Sequence, residues 1–220
     1  MLAFHASVAE AAEQAADFLA HAPSPERSSY WIAAGRPRAP YEAAIARRRP
    51  EMRKALHQYA SPSKPSADGR SESTAELVAW TRDRPGELAI GGETASWIWD
   101  GSHAPGHLAQ ENALVPDPRR GARLLCAYDL RRFGSEVAAA LLPSIREAHS
   151  HAWLSQDDRP AIRLLQLRAY RVRTDLPLAL RPRYAEALDE GWLEPALLTQ
   201  RIQLSSAGRE FLARELPRPD

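Results

Sequence analysis

Two rhythms of apolar residues alternate along the first two thirds of the chain. From Ser7 to His21, Val8, Ala12, Ala15, Phe18 and Leu19 recur at helical spacing among Glu, Gln and Asp. That spacing predicts an amphipathic helix. Ser7 as N-cap with Glu10 three residues on reads as a capping box, and Pro23 and Pro25 stop the helix. Ser28 to Ala34 is a short continuous apolar run, the pattern of a buried strand, and it ends in a Gly35-Arg-Pro-Arg turn. A second helix is expected from Tyr41 to Tyr59, with Pro50 breaking it. A polar insertion at 60–73 is expected to be flexible. Beyond it the pattern predicts a helix over 74–83, strand-like runs over 87–91 and 94–99 that read as one bent strand or as a strand and its extension, a helix over 106–114, and a strand from Ala122 to Asp129. A helix from Ser135 to Ala148 and a strand from His151 to Leu154 close the series.

Helices alternating with short apolar strands predict an α/β fold, a mostly parallel sheet with helices on both faces. After Gln156 the rhythm changes. Helices are expected at 161–171, 183–190 and 206–215, with a strand pair before the last of them. This outline is that of a small winged-helix-like α+β module, so the chain divides into 1–155 and 156–220.

Composition narrows the field. The chain has 220 residues and a formal net charge of +1, which gives no global electrostatic case for nucleic acid or membrane. One cysteine, Cys126, excludes an internal disulfide and fits a reducing cytoplasm. Neither a secretory signal nor an apolar run of membrane-spanning length is expected.

The strand Ala122–Asp129 delivers Tyr128 and Asp129 to the carboxyl rim of the sheet, where open α/β sheets bind ligands. Asp129 has the look of a metal-holding aspartate of an ATPase. The Gly35 turn, however, contains Pro37 and Pro40 and has no Gly-Lys pair, so no P-loop is present to serve it. The alternative role for Asp129 is a cap on the turn that follows. Cys126, between Leu125 and Ala127, reads as inert packing. His149 with His151, and His103 with His107, lack the additional ligands that a metal site needs. No metal or other cofactor is therefore expected. Tyr30, Trp31, Trp97, Trp99, Tyr128 and Trp153 fall in or beside strands, which reads either as an aromatic core or as an apolar pocket with Glu93, Glu111 and Asp129 as polar handles.

Several residues occur in a familiar order. Phe4-His5 precedes a helix ending Asp17-Phe18-Leu19, and Tyr30-Trp-Ile-Ala33 follows. Then come Gly91-Gly-Glu93-Thr94, Glu111-Asn112, Leu125-Cys-Ala-Tyr-Asp-Leu-Arg131 and His149-Ser-His151. Over about residues 1–155 this order resembles the MEDS family of sensory domains (methanogen/methylotroph, DcmR-type). The resemblance implies a RecA/KaiC-type sheet without its nucleotide-hydrolysing loop, a small organic ligand, and a neighbouring DNA-binding or kinase module. The matching positions for ligand contact are Glu93, Glu111, Tyr128, Asp129 and His149. The insertion at 60–73 and the Pro- and Arg-rich run at 116–120 depart from the family pattern.

In the C-terminal segment, Arg181, Arg183 and Tyr184 start a candidate recognition helix, and Arg201 falls near the expected wing. Arginines there suit phosphates and guanine edges, although Glu186, Asp189 and Glu190 share the helix. DNA binding and docking of a homodimer or signalling partner are both open. The expected function is a cytoplasmic, non-catalytic small-molecule sensor with transcription-regulatory or signalling output. The alternatives are an enzyme using Asp129, Glu93 or His149 as acid/base, and an interaction scaffold.

Overall fold

The computed structural model describes residues 1–21, 29–32, 38–50, 89–92, 123–134, 136–155, 157–195 and 201–216. Strands are β1 (Leu2–His5), β2 (Ser29–Ile32), β3 (Ala89–Gly92), β4 (Arg123–Asp129) and β5 (Ala152–Trp153). Helices are α1 (Val8–Ala20), α2 (Arg38–Arg48), α3 (Glu136–Glu147), α4 (Pro160–Arg168), α5 (Arg181–Asp189) and α6 (Ser206–Glu215). The expected strand at 94–99 and the helices at 74–83 and 106–114 lie outside the described residues, as do the Gly35 turn and the insertion at 60–73.

The strands form one sheet in the order β2-β3-β4-β1-β5, with every pairing parallel. The α/β expectation therefore holds, with one strand more than the apolar pattern predicts. Leu2–His5 is β1, buried at every residue, lying between β4 and β5. A run of four residues buried on both sides carries no period to detect.

Strand alternation splits the core in two. On one face Ala3, Ala89, Leu125 and Ala127 pack against α1 and α2. The α1 residues there are Ala11, Ala12, Ala15, Ala16, Phe18 and Leu19. Small side chains on both helix and sheet let α1 lie close against the strands. Helix α2 stops at Arg48, two residues before Pro50, because a proline ring clashes with the helical turn before it. On the other face Leu2, Phe4, Cys126 and Tyr128 pack against α3, and an aromatic trio stabilises them. Phe4, Tyr128 and Phe133 lie with ring centroids 6.1–6.4 Å apart.

The second face also takes in the C-terminal segment. Ile162, Leu164, Leu165, Leu167, Leu176, Tyr184, Leu193, Leu204, Leu212 and Leu216 belong to the same hydrophobic cluster as Phe4 and Tyr128. The chain on either side of residue 155 thus shares one core. Within the segment α4 is followed by an antiparallel bridge Val172–Arg201, then α5, a second bridge Leu193–Leu204, and α6.

Two glycines fix the end of this segment. Gly191 has a φ of 70°, a left-handed conformation that ends α5 at low steric cost. Gly208 lets the first turn of α6 sit directly on the Trp192 backbone, where a Cβ would collide with the carbonyl oxygen. The Trp192 carbonyl accepts from Ser205 N at 2.9 Å, and the Trp192 and Phe211 rings stack with centroids 4.2 Å apart.

Candidate functional site at the carboxyl rim of the sheet

The strand order marks one switch point. The chain leaves β1 through α1 toward β2, and leaves β4 through α3 toward β5, on the opposite side of the sheet order. Neighbouring strands whose crossovers diverge open a crevice at their carboxyl ends. That crevice lies after His5 and Asp129, which face each other in register, both fully buried.

The turn from β1 into α1 is only Ala6-Ser7. Ser7 Oγ accepts from Glu10 N at 3.1 Å, as the capping pattern predicts. Glu10 Oε2 completes the turn by accepting from Ala6 N at 2.8 Å and from Ser155 Oγ at 3.1 Å, which ties the turn to the chain after β5.

A groove of about 550 Å³ opens beside this turn, between α1 and the segment following β5. Its walls carry Ser7, Glu10, Glu13, Gln14, Asp17, Arg48, Trp153 and Asp157. Trp153 is in register with Ala3 and so stands on the α1 face of the sheet edge; it is 38% exposed. Gln14 Nε2 donates to Phe4 O at 2.8 Å, leaving its buried Oε1 as an acceptor in the wall. Arg48 bridges Glu13 and Asp17, and Arg47 reaches Glu13 from outside. Asp157 is held by Arg159 at 2.7 Å. That hydrogen-bonded guanidinium keeps the Asp157 carboxyl below its usual value, against the opposing pull of partial burial.

Of the positions singled out in the sequence, Tyr128, Asp129 and His149 do not line this groove. Tyr128 is fully buried in the aromatic trio and does not line the groove. Asp129 is also fully buried, and Arg131 engages both of its oxygens. Its Oδ1 accepts from Arg131 N at 3.0 Å and Arg131 Nε at 2.9 Å, and its Oδ2 from Arg131 NH2 at 2.6 Å. This is the capping role at the Leu130–Gly134 turn, built from a charge-assisted fork. His149 lies against the end of α3, its Nδ1 2.6 Å from Ile145 O. His149 and His151 both precede β5, so they do not share the strand that the pattern predicts from His151. Glu93 and Glu111 lie outside the described residues. Cys126 is buried on the second face, in the packing role expected. Among the described residues no group of three or more His, Cys, Asp and Glu is arranged to hold a metal.

In the C-terminal segment Arg181 and Arg201 are exposed, and Tyr184 is buried under the Arg173 guanidinium. Arg183 turns inward. It donates to Gln166 Oε1 at 2.6 Å and to Asp158 Oδ1 at 3.0 Å. The exposed residues of α5 are Arg181, Pro182, Ala185, Glu186 and Asp189, with Glu190 following.

The groove residues Glu10, Gln14, Asp17 and Trp153 had a signal in the sequence. Glu10, Glu13, Gln14 and Asp17 follow the i, i+3, i+4, i+7 spacing of one helix face, opposite the alanines. What that face looks onto depends on β5, which is remote in sequence.

Fold and site together define a parallel α/β protein with a rim groove beside its switch point and a helical segment packed on the back of the sheet. Comparison with protein-family models, with curated proteins and with solved structures finds no match to this chain.

Proposed function

We propose that the chain is a non-catalytic sensor of the MEDS type. It binds a small organic ligand in the groove between α1 and β5, and its C-terminal segment reports occupancy to a protein partner. The observation that carries this reading is the groove itself, sited beside the switch point and walled by an exposed indole and a surplus of acceptors. Among the described residues four carboxylates, Glu10, Glu13, Asp17 and Asp157, stand there; Arg48 bridges Glu13 and Asp17, Arg47 also pairs with Glu13, and Arg159 pairs with Asp157, so the carboxylates outnumber the guanidinium groups. This lining favours a compact organic cation, with its apolar body on Trp153 and its N–H groups toward Asp17 and Gln14. It disfavours a phosphate or a carboxylate.

Two further features support the reading. The strand order, with β1 between β4 and β5, fits a RecA/KaiC-type sheet. The β1–α1 turn, where a strand–loop–helix phosphate site belongs, is two residues long and has no glycine. Asp129, engaged in a fork with Arg131, is poorly placed as an acid, a base or a metal ligand. The helix, bridge, helix, bridge, helix outline of the C-terminal segment fits a winged-helix-like module. Its α5 surface is acidic and Arg183 is tied down, which favours a protein partner over DNA.

The test is a thermal-shift and tryptophan-fluorescence screen with organic ammonium and guanidinium compounds, neutral amides, carboxylates and nucleotides. Cations are expected to raise Tm by several degrees at saturating concentration, through preferential binding to the folded state. Trp153→Ala and Asp17→Asn are expected to weaken that response. A response to nucleotides or carboxylates alone overturns the reading.

A further inference from the structure

Gln166 is fully buried in α4, among leucines. An amide in such a place is costly unless both of its ends are bonded. Here both are. Nε2 donates to Ser155 O at 2.6 Å, and Oε1 accepts from Arg183 NH1 at 2.6 Å. The orientation of the amide is fixed by its partners, because a carbonyl only accepts and a guanidinium only donates.

Ser155, itself 5% exposed, is the same residue whose hydroxyl reaches Glu10. A continuous polar path therefore runs through the packed interior. It leads from the Ala6 amide to Glu10, to Ser155, to Gln166 and to Arg183 of α5, which closes on Asp158. One end is the turn at the rim groove, and the other is the first turn of α5. We propose that Gln166 is a positioning residue that couples the two, so that the placement of Glu10 and Ser155 at the groove sets the placement of Arg183 and α5.

The physical reason is the rigidity of the amide. Its donor and acceptor sit a fixed distance apart on one planar group. A shift of Ser155 away from α4 strips Gln166 of a buried bond unless the side chain follows, and following disengages Arg183. Arg183 in its present position is held against Gln166 and Asp158; released, it extends its guanidinium from the start of α5. The purpose of this coupling, transmission of ligand occupancy, rests on the sensor reading. The coupling itself is measurable without any ligand.

The experiment is a double-mutant cycle on the full chain, Glu10→Ala against Arg183→Met, read by urea unfolding. Sites this far apart with no shared partner normally act independently. Coupling through Gln166 is expected to make the unfolding constant of the double variant depart from the product of the single effects by about three- to thirtyfold. The departure is expected to vanish in a Gln166→Glu background, which keeps the acceptor for Arg183 and removes the donor to Ser155. Gln166→Met gives the same test with neither end bonded. A second readout is amide exchange at Ala6. Arg183→Met is expected to speed it in the parent chain and to leave it unchanged in Gln166→Glu. A cycle additive to within about twofold in the parent, or a departure that survives in Gln166→Glu, overturns the proposal. If no organic cation binds while the cycle departs from additivity, the sensor reading fails and the coupling stands. Cation binding with an additive cycle gives the reverse.

Discussion

At the scale of the residue, Asp129 shows how an attractive position becomes a structural one. A carboxylate at the end of a central strand invites a ligand, but three bonds from Arg131 engage both of its oxygens. Asp129→Ala is expected to cost about 2–3 kcal/mol in urea unfolding, since bonds to a charged group are lost and a backbone amide is left bare. It is also expected to leave the ligand-induced thermal shift unchanged; loss of that shift at unchanged stability places Asp129 in the binding site instead. Asp157 carries a pH signature. Its carboxyl titrates below its unfolded value because of Arg159, so the pair contributes stability above the unfolded carboxylate pKa. That stability is lost as pH falls through the lower folded value. Asp157→Asn is therefore expected to destabilise the chain near neutral pH and to make little difference under strongly acidic conditions, a contrast that urea unfolding at the two pH values measures. Sequence marked Asp129, as a ligand contact or a cap on the following turn, and did not mark Asp157. It showed the partner of neither, because i, i+2 forks such as Asp129–Arg131 and Asp157–Arg159 depend on the local turn conformation.

At the scale of the element, caps and close approaches decide stability. Ser7→Ala removes the acceptor for Glu10 N at the start of α1 and is expected to cost about 1 kcal/mol. Gly208→Ala is expected to cost more, at the upper end of roughly 1–3 kcal/mol. The added methyl meets the rigid Trp192 carbonyl, and only movement of α6 relieves the clash. Calorimetric Tm values of the two variants check the order; a milder effect for Gly208→Ala means that α6 rides free of the Trp192 turn. Helix α6 at Ser206–Glu215 and strand β4 at Arg123–Asp129 follow the apolar pattern closely, because each has a local stop signal and a clear face. β1 did not, because four residues buried on both faces carry no contrast.

At the scale of the molecule, the second face of the sheet and the C-terminal segment form one hydrophobic cluster from Leu2 to Leu216. A shared core unfolds as a unit. Hydrogen exchange in β4 and in α5 is expected to show the same opening free energy and the same denaturant dependence. An α5 that opens well below β4 makes the C-terminal segment an independent appendage. The same continuity gives a rim event a short route to the far end of the chain, since α4 packs on the back of the sheet and carries Gln166.

The sequence by itself determined the α/β class, the amphipathic helices, the break at Pro50, the capping of α1 and the burial of Cys126. Each of these is written in residues a few positions apart. Tertiary structure alone decided that β1 lies between β4 and β5, that the carboxylates of α1 look onto Trp153, and that Asp129 and Tyr128 turn inward. It also decided that Ser155 and Gln166 join Glu10 to Arg183. These depend on which distant strands become neighbours. That choice is made by burying apolar area over the whole sheet, and local spacing along the chain does not encode it.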